Sequence, residues 1–547
     1  MSPADPCPPC PPPPPPCPKN PVDNGYPHVP VDTILKEIRE QNTGPRHVVI
    51  LGAGMAGLVA AYELLKLKNT VEIIEASGGH GGRVHTHHFK DGAYAELGAM
   101  RVPITHDYTH HYISEMGLRN KLITFINNVQ NGFWDMHGVV TRQTAAGVQK
   151  IYDKYRISDY FRKNMPSGGA IFGFLMDNLI DGLTEEEKQM MFDGVAGTGL
   201  LQYLSGVSLR QFIVQNVGEE VLDVIGVFTS LDVWWDKAVT MYLRDEMVGT
   251  GSCLQTLEGG MSQLPDALYE KVKKHITFNR EVSRIKLLEK GVEVTTRTPD
   301  QEGTSTTKKY DYVLCTIPFS VMRRMELENL SYPKMSAIRG MTYANATKVA
   351  LDCRERFWQE GKHPILGGSS TSDHIQRQTY YPMDHLPVTK PLLRQSFRPT
   401  VEGFRYRRPS IHSTTPQPAP PAALMKRSEP MPGALLGAYC WDQDARRLGA
   451  LSNNERAEVV IENVSRFHPQ LRKYVVDQAS VDWEEYRWTA GAFVMLKPGE
   501  LERFYPAAIR PEGRLFFAGE HCSTDQGWIQ GALIASLRAV LQIVSTK

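Results

Sequence analysis

Residues 46–75, RHVVILGAGMAGLVAAYELLKLKNTVEIIE, leave the chain little choice of fold. The apolar run His47 to Leu51 meets a glycine turn, Gly52-Ala53-Gly54-Met55-Ala56-Gly57. A helical pattern follows, with Leu58, Ala61, Leu64 and Leu65 on one face, and residues 71–74 form a second apolar run that ends at Glu75. Strand, tight turn, helix and strand within about thirty residues make the dinucleotide-binding βαβ unit. Gly52 permits the turn, Gly54 lets backbone approach a pyrophosphate, and Gly57 lets helix and strand pack closely. The helix N-terminus offers free N–H groups and a positive dipole end to phosphates. Glu75 is placed to accept hydrogen bonds from a ribose diol, and its charge argues against NADP, which carries a 2′-phosphate there. The alternative is a glycine turn in some other α/β protein, which need not carry both strands and the acid at this spacing.

Size and charge narrow the rest. The 547 residues are enough for three or four domains, and a 41% hydrophobic content can fill large cores. With 61 basic residues against 60 acidic ones, nothing global points to nucleic acid. No apolar run is long enough for a membrane span, and the Pro-rich N-terminus has no secretory h-region. The eight cysteines show no disulfide framework and no zinc spacing, so no metal is expected and an intracellular, cytoplasmic setting fits best.

Residues 1–30 read as a disordered polyproline-like tail, either a plain solvated segment or a ligand for a proline-reading domain. Residues 31–41 have helical spacing. A second glycine cluster, Gly78-Gly79-His80-Gly81-Gly82-Arg83-Val84, can lie flat against a ligand, and Arg83 can pair with a phosphate. Next comes Ala95-Glu96-Leu97-Gly98-Ala99-Met100-Arg101-Val102-Pro103, which sets a basic residue in an apolar segment. Residues 105–245 are helical in pattern and contain Asp232-Val233-Trp234-Trp235-Asp236, whose paired indoles suit core packing. Strand patterns resume at 282–288, 291–298, 312–317 and 349–352. Residues 390–432 are rich in Pro, Ser and Arg without apolar period and read as a disordered insertion. Near the end, a strand pattern at 514–518 leads through Gly519-Glu520-His521 and Gly527-Trp528-Ile529-Gln530-Gly531-Ala532 into a helix, a second phosphate-side element.

These motifs, in this order, resemble the flavin-containing amine oxidase superfamily, and within it the L-amino acid oxidases. The most specific are G-A-G-M-A-G-L, G-G-R-V, L-G-A-M-R-V-P, L-E-G-G-M-S-Q-L-P, Ala346-Thr347-Lys348-Val349, Tyr380-Tyr381-Pro382 and F-A-G-E-H…G-W-I-Q-G-A. The resemblance implies an α/β (α+β) chain: a Rossmann-like FAD-binding domain with a mixed-sheet substrate domain and an inserted helical region. On this reading the FAD-binding domain comprises 45–85, 250–325 and 510–547. The substrate domain comprises 86–110, 326–389 and 433–509, and the helical domain 111–249. The implied cofactor is FAD, held without a covalent bond. It would be cradled by Gly52, Ala53, Gly54, Met55, Ala56 and Gly57, with Glu75 on the adenosine ribose and Val282 on adenine. Gly82 and Arg83 would lie along the pyrophosphate. Gly98, Ala99, Met100 and Arg101, and then Glu520, Gly527, Trp528 and Ile529, would complete the flavin site. Arg101, helped by Tyr381, would bind a substrate carboxylate, and Lys348 would hold a water. The residue facing the substrate amine is left unassigned.

The residue types suit oxidation of an amino acid. A guanidinium grips a carboxylate with two parallel bonds, Trp528 can wall the site, and Lys348 can supply positive charge as oxygen is reduced. The less favoured readings are a structural ion pair for Arg101, a surface strand lysine for Lys348 and core packing for Trp528. The expected partners are an L-amino acid and O2, with no nucleic acid and no membrane. A homodimer is compatible with a sequence that fixes no oligomeric state. Alternatives on the same scaffold are a monoamine or polyamine oxidase, which has no reason to keep Arg101, and an amino-acid 2-monooxygenase, which would keep it. A non-enzymatic flavoprotein would need neither Arg101 nor Lys348.

Overall fold

The computed structural model describes residues 27–127, 131–164, 168–250, 253–301, 303–382 and 431–546. The expected Pro-rich tail and the expected 390–432 insertion lie almost wholly outside these residues.

At the centre is a five-stranded parallel sheet in the order Ile276–Thr277, Thr70–Ile74, His47–Leu51, Tyr312–Cys315, Leu515–Phe517. His47–Leu51 is exposed only at His47, as expected of a strand covered on both faces. The helix Met55–Lys66 packs against this sheet and against the C-terminal helix Ile529–Ser545, whose Ser536 hydroxyl donates to the Ala56 carbonyl at 2.8 Å. The helix Val31–Glu40 buries Val31, Ile34, Leu35 and Ile38 in the same core. A four-stranded sheet, Thr306–Tyr310, Val292–Arg297, Glu281–Leu287, Glu326–Glu328, lies beside it.

A seven-stranded mixed sheet forms the other half, in the order Val475–Asp482, Ala346–Cys353, Gly433–Trp441, Gln378–Tyr380, Ser369–Ser372, Phe133–Met136, Val139–Arg142. In its antiparallel centre Lys348 faces Tyr439 across the strand pair. Helices Gly168–Gly182, Glu185–Asp193, Leu209–Val217 and Glu219–Thr229 make up much of the helical region. Two boundaries expected from sequence need correction. Residues 111–249 are not purely helical, because Phe133–Met136 and Val139–Arg142 complete the seven-stranded sheet. Glu326–Glu328, assigned to the substrate domain, pairs instead with Glu281–Leu287. Strand propensity in such short segments is decided by available partners, which local pattern does not reveal. Cys253 is disulfide-bonded, which the cysteine spacing does not predict, whereas Cys315, Cys353, Cys440 and Cys522 are free and buried. Among the described residues no helix is long and apolar enough to cross a membrane, and no group of three His, Cys, Asp or Glu could hold a metal.

Candidate active site

The first glycine turn follows the central strand as its pattern demands. Gly52 has φ +109°, a conformation other residues avoid, and an added Cβ would lie 2.6 Å from Thr316 Oγ1. At Gly57 the same atom would lie 2.0 Å from the Gly52 carbonyl oxygen, so only glycine lets the helix start this close to the strand. The second glycine cluster leans on the first. Gly81 N–H donates to the Ala53 carbonyl at 2.9 Å, and a Cβ on Gly82 would come within 3.3 Å of Gly54 Cα.

Glu75 ties this floor together. Its Oε2 accepts from Ala53 N–H at 2.7 Å, and its Oε1 accepts from the Ser77 N–H and hydroxyl, both at 2.8 Å. At the far end Arg83 Nη1 donates to Glu520 Oε1 at 2.7 Å and to the Ala492 carbonyl at 2.8 Å. Glu520 Oε2 accepts from the N–H groups of Val494 at 3.3 Å and Gly527 at 3.1 Å. Both oxygens of this buried carboxylate are therefore matched, and its charge is offset before any phosphate approaches.

These segments enclose a cavity of about 640 Å³. Its lining runs from Glu75, Ser77 and Val282 past Gly54 and Arg83 to Lys348, Tyr439 and Trp528. Of the residues singled out from sequence, Gly52, Gly54, Met55, Ala56, Glu75, Gly82, Arg83, Gly98, Ala99, Val282, Lys348, Glu520, Gly527, Trp528 and Ile529 line it. Ala53 and Gly57 act from behind as backbone. Met100 is buried with its sulfur 3.4 Å from Lys348 Nζ.

Lys348 projects from the strand Ala346–Cys353 and is only 2% exposed. Its Nζ donates to the carbonyls of Gly98 at 2.6 Å and Glu96 at 3.2 Å and lies 4.4 Å above the Tyr439 ring. Burial pushes its pKa down to about 7; Glu96 opposes this shift and Arg101 adds to it. Trp528 Nε1 donates to Asp245 Oδ1 at 2.8 Å, and the His106 ring meets the indole edge-on at 5.1 Å. Burial raises Asp245 to about 6, with Trp528, Arg101 and Arg244 pulling the other way.

Arg101 lines a second, smaller cavity of about 30 Å³, next to the first, with Tyr439 lining both. Its Nη1 donates to Asn127 Oδ1 at 2.5 Å and contacts the Tyr380 hydroxyl at 3.4 Å. Among the described residues nothing bonds to its Nε–Nη2 edge, the edge that can make two parallel bonds to a carboxylate. Tyr381 does not help it. The Tyr381 hydroxyl is buried on the opposite face, 2.7 Å from Ser370 Oγ and 2.8 Å from His468 Nε2. Successive strand residues point to opposite faces, so only one of the paired tyrosines can accompany Arg101, and it is Tyr380. Sequence reasoning also missed Tyr439 and Asp245. Tyr439 follows the long irregular segment, and Asp245 sits in a helical run with no motif around it.

The profile of flavin containing amine oxidoreductases matches residues 55–544. The chain belongs to that family. It is 35% identical over 518 residues to the flavin-dependent L-tryptophan oxidase RebO of Lentzea aerocolonigenes, covering 91% of this chain and 98% of that protein. It is 27% identical over 519 residues to the L-amino-acid oxidase of Daboia russelii, covering 93% and 91%. Its fold matches putrescine oxidase bound to putrescine with a TM-score of 0.67 at 20% identity, over 92% of this chain and 99% of that one. It also matches the cyclohexylamine oxidase of Brevibacterium oxydans, TM-score 0.65 at 16% identity, over 91% and 99%. FAD is thus the cofactor, and the residues present fit it. A Cβ at Gly52 or Gly57 would clash with the turn itself while Gly54 faces open space at the cavity wall, an acid stands at the ribose end, and the cavity volume is within the range for a bound cofactor, about 300–1,000 Å³.

Proposed function

We propose that this flavoenzyme oxidises L-amino acids, converting amino acid, O2 and water to 2-oxo acid, ammonia and hydrogen peroxide. The observation that carries the reading is Arg101: a guanidinium whose two-bond edge meets no acceptor among the described residues, beside the end of the cofactor cavity that holds Lys348. An enzyme for simple amines has no carboxylate to place there. The relatives named for L-amino acids over nearly their whole length support the same reading.

Bound FAD supplies the two-electron acceptor that takes hydride from the substrate Cα and passes electrons on to oxygen. The chain's own part is placement. Arg101 would grip the carboxylate and Tyr380 would close over it, fixing the Cα–H direction. Trp528 and Tyr439 would wall the amine and side chain and exclude bulk water. Lys348 spends two N–H bonds on carbonyls, so as a neutral amine it retains a lone pair for a water, and as an ammonium it adds positive charge beside the reacting oxygen.

Peroxide and 2-oxo acid release should be measured with L-amino acids, their D-enantiomers and the matching decarboxylated amines. Turnover of L-amino acids alone is expected. Equal turnover of the amines assigns the chain to amine oxidation instead, and an amide product with loss of CO2 assigns it to monooxygenation.

A further inference from the structure

Residues 483–491 carry the chain from the seven-stranded sheet across to the cofactor cavity. They follow the edge strand Val475–Asp482. The loop closes on itself: the Gly491 N–H and the Thr489 hydroxyl both donate to the Trp483 carbonyl, each at 2.8 Å. The Trp483 indole is buried, and its Nε1 donates to the Leu97 carbonyl at 3.0 Å, which roots the loop.

The rest of the loop is tied to the half that holds the parallel sheet. The Ser320 hydroxyl donates to the Thr489 carbonyl at 2.6 Å, and Arg324 Nη1 donates to the Arg487 carbonyl at 3.2 Å. Arg487 Nη2 donates to Glu281 Oε2 at 2.8 Å, and its Nη1 donates to Asp300 Oδ1 at 2.5 Å. Glu281 opens the strand that carries Val282. It also accepts from Arg297 at 3.1 and 3.2 Å, so removing Arg487 would not leave that carboxylate unpaired.

On either side of Arg487, Tyr486 and Trp488 line the cofactor cavity together with Val282, Val321 and Met325. The Tyr486 phenol faces Ser77 and Glu75, which puts it at the ribose end. Burial and the Glu75 charge raise its pKa, so it stays a neutral hydrogen-bond donor. The glycine loop offers this end little side chain. A Cβ added to Gly79 would meet nothing within 4 Å, so that stretch presents backbone to open space. Aromatic surface at this end comes from residues 483–491. A purine stacks on an aromatic ring through its π-face, and the contact needs no hydrogen-bond pattern.

We propose that residues 483–491 are a clasp for the adenosine half of FAD. Tyr486 and Trp488 cover the purine and ribose, and the Arg487 pairs to Glu281 and Asp300 hold the clasp closed. The segment that follows the seven-stranded sheet thereby sets how firmly the cofactor is retained and favours FAD over FMN.

The test reads bound flavin rather than turnover. FAD dissociation constants are taken from flavin fluorescence on dilution of the holoenzyme and from absorbance after dialysis. Replacing Tyr486 and Trp488 together by alanine should weaken FAD binding about 5- to 150-fold, the loss of base–aromatic stacking. Phenylalanine at both positions should retain most of the affinity. The ratio of FMN to FAD dissociation constants should fall with the alanine pair by the same factor, because FMN lacks the adenosine half. Arg487→Gln should release FAD about two- to fivefold faster, and high salt should bring wild type to the rate of that variant. Equal weakening of FAD and FMN puts the effect in the fold or at the flavin ring and overturns the proposal. An unchanged FAD dissociation constant in the alanine pair does the same. If the alanine pair is insoluble, an unchanged release rate in Arg487→Gln overturns it.

Discussion

Replacing Arg101 by methionine tests the central functional reading most directly. Methionine keeps an unbranched apolar stem and removes the guanidinium. Among the described residues only Nη1 is committed, to Asn127 and Tyr380, so the loss of a substrate grip should outweigh the loss of internal bonds. Truncating one partner of a buried, charge-assisted pair costs about 2–5 kcal/mol. At 1.36 kcal/mol per decade, kcat/KM for L-amino acids should fall by about one and a half to three and a half decades. Arg101→Lys should recover part of this, because an ammonium cannot make both parallel bonds. FAD content, read from the ratio of flavin to protein absorbance, should be unchanged, since Arg101 lines the smaller cavity and not the larger one. Phenethylamine, which offers no carboxylate, should be oxidised poorly by wild type and no worse by the variant. A loss of less than about threefold with L-phenylalanine, or wild-type turnover of phenethylamine matching that of L-phenylalanine, refutes the assignment of Arg101 to the carboxylate.

Lys348→Met should slow reoxidation of the dithionite-reduced enzyme by O2 more than it slows anaerobic reduction by substrate, and stopped-flow records of the two half-reactions decide it. Because the Lys348 pKa is lowered to about 7, its positive charge is present below that pH and lost above it, so wild-type reoxidation should slow as pH rises through that region and the variant should lack the inflection. Asp245, raised to about 6, takes up its proton in the folded enzyme at a pH where the unfolded chain is already ionised. Its contribution therefore weakens as pH rises through about 6, and Asp245→Asn should gain Tm relative to wild type at pH 8 but not at pH 4; a gap independent of pH contradicts this. Gly57→Ala should yield protein with little or no FAD by absorbance, since its Cβ would sit 2.0 Å from the Gly52 oxygen. Acid precipitation should release FAD into the supernatant, because Cys522 faces the Ala508 carbonyl at 3.6 Å and does not line the cavity.

The dinucleotide turn was legible because its constraints are local. Gly52 is required by its own φ of +109° and Gly57 by the Gly52 carbonyl five residues before it, and glycine spacing records such constraints directly. The helix Val31–Glu40 and the strand Ala346–Cys353 were legible because apolar period is local too. The substrate side was less so. Tyr380 and Tyr381 are chemically identical neighbours, and which one turns toward Arg101 depends on how Gln378–Tyr380 pairs with Ser369–Ser372 and Gly433–Trp441. That phase cannot be read from the tyrosines themselves, since a shift of one residue exchanges the two faces. Asp245 was invisible for a related reason. Its place beside Trp528 comes from packing between elements 283 residues apart in the chain.

The electrostatics around Lys348 and Arg101 link these separately assembled pieces. Two cations close to one cavity would repel each other, and burial makes the repulsion costly. The chain relieves it at Lys348, whose pKa is lowered to about 7 so that the amine can be neutral near neutral pH. Asp245 contributes a carboxylate that feels Arg101 while fixing the Trp528 indole through Nε1, so the orientation of an aromatic wall is tied to the charge beside it. Burial is the main cause of the lowered Lys348 pKa and Arg101 a smaller one, so a substrate carboxylate arriving at Arg101 would offset only that smaller part and shift Lys348 toward its ammonium form. The state that assists oxygen reduction would then be favoured when an anion occupies Arg101, which couples the two halves of the reaction through charge alone.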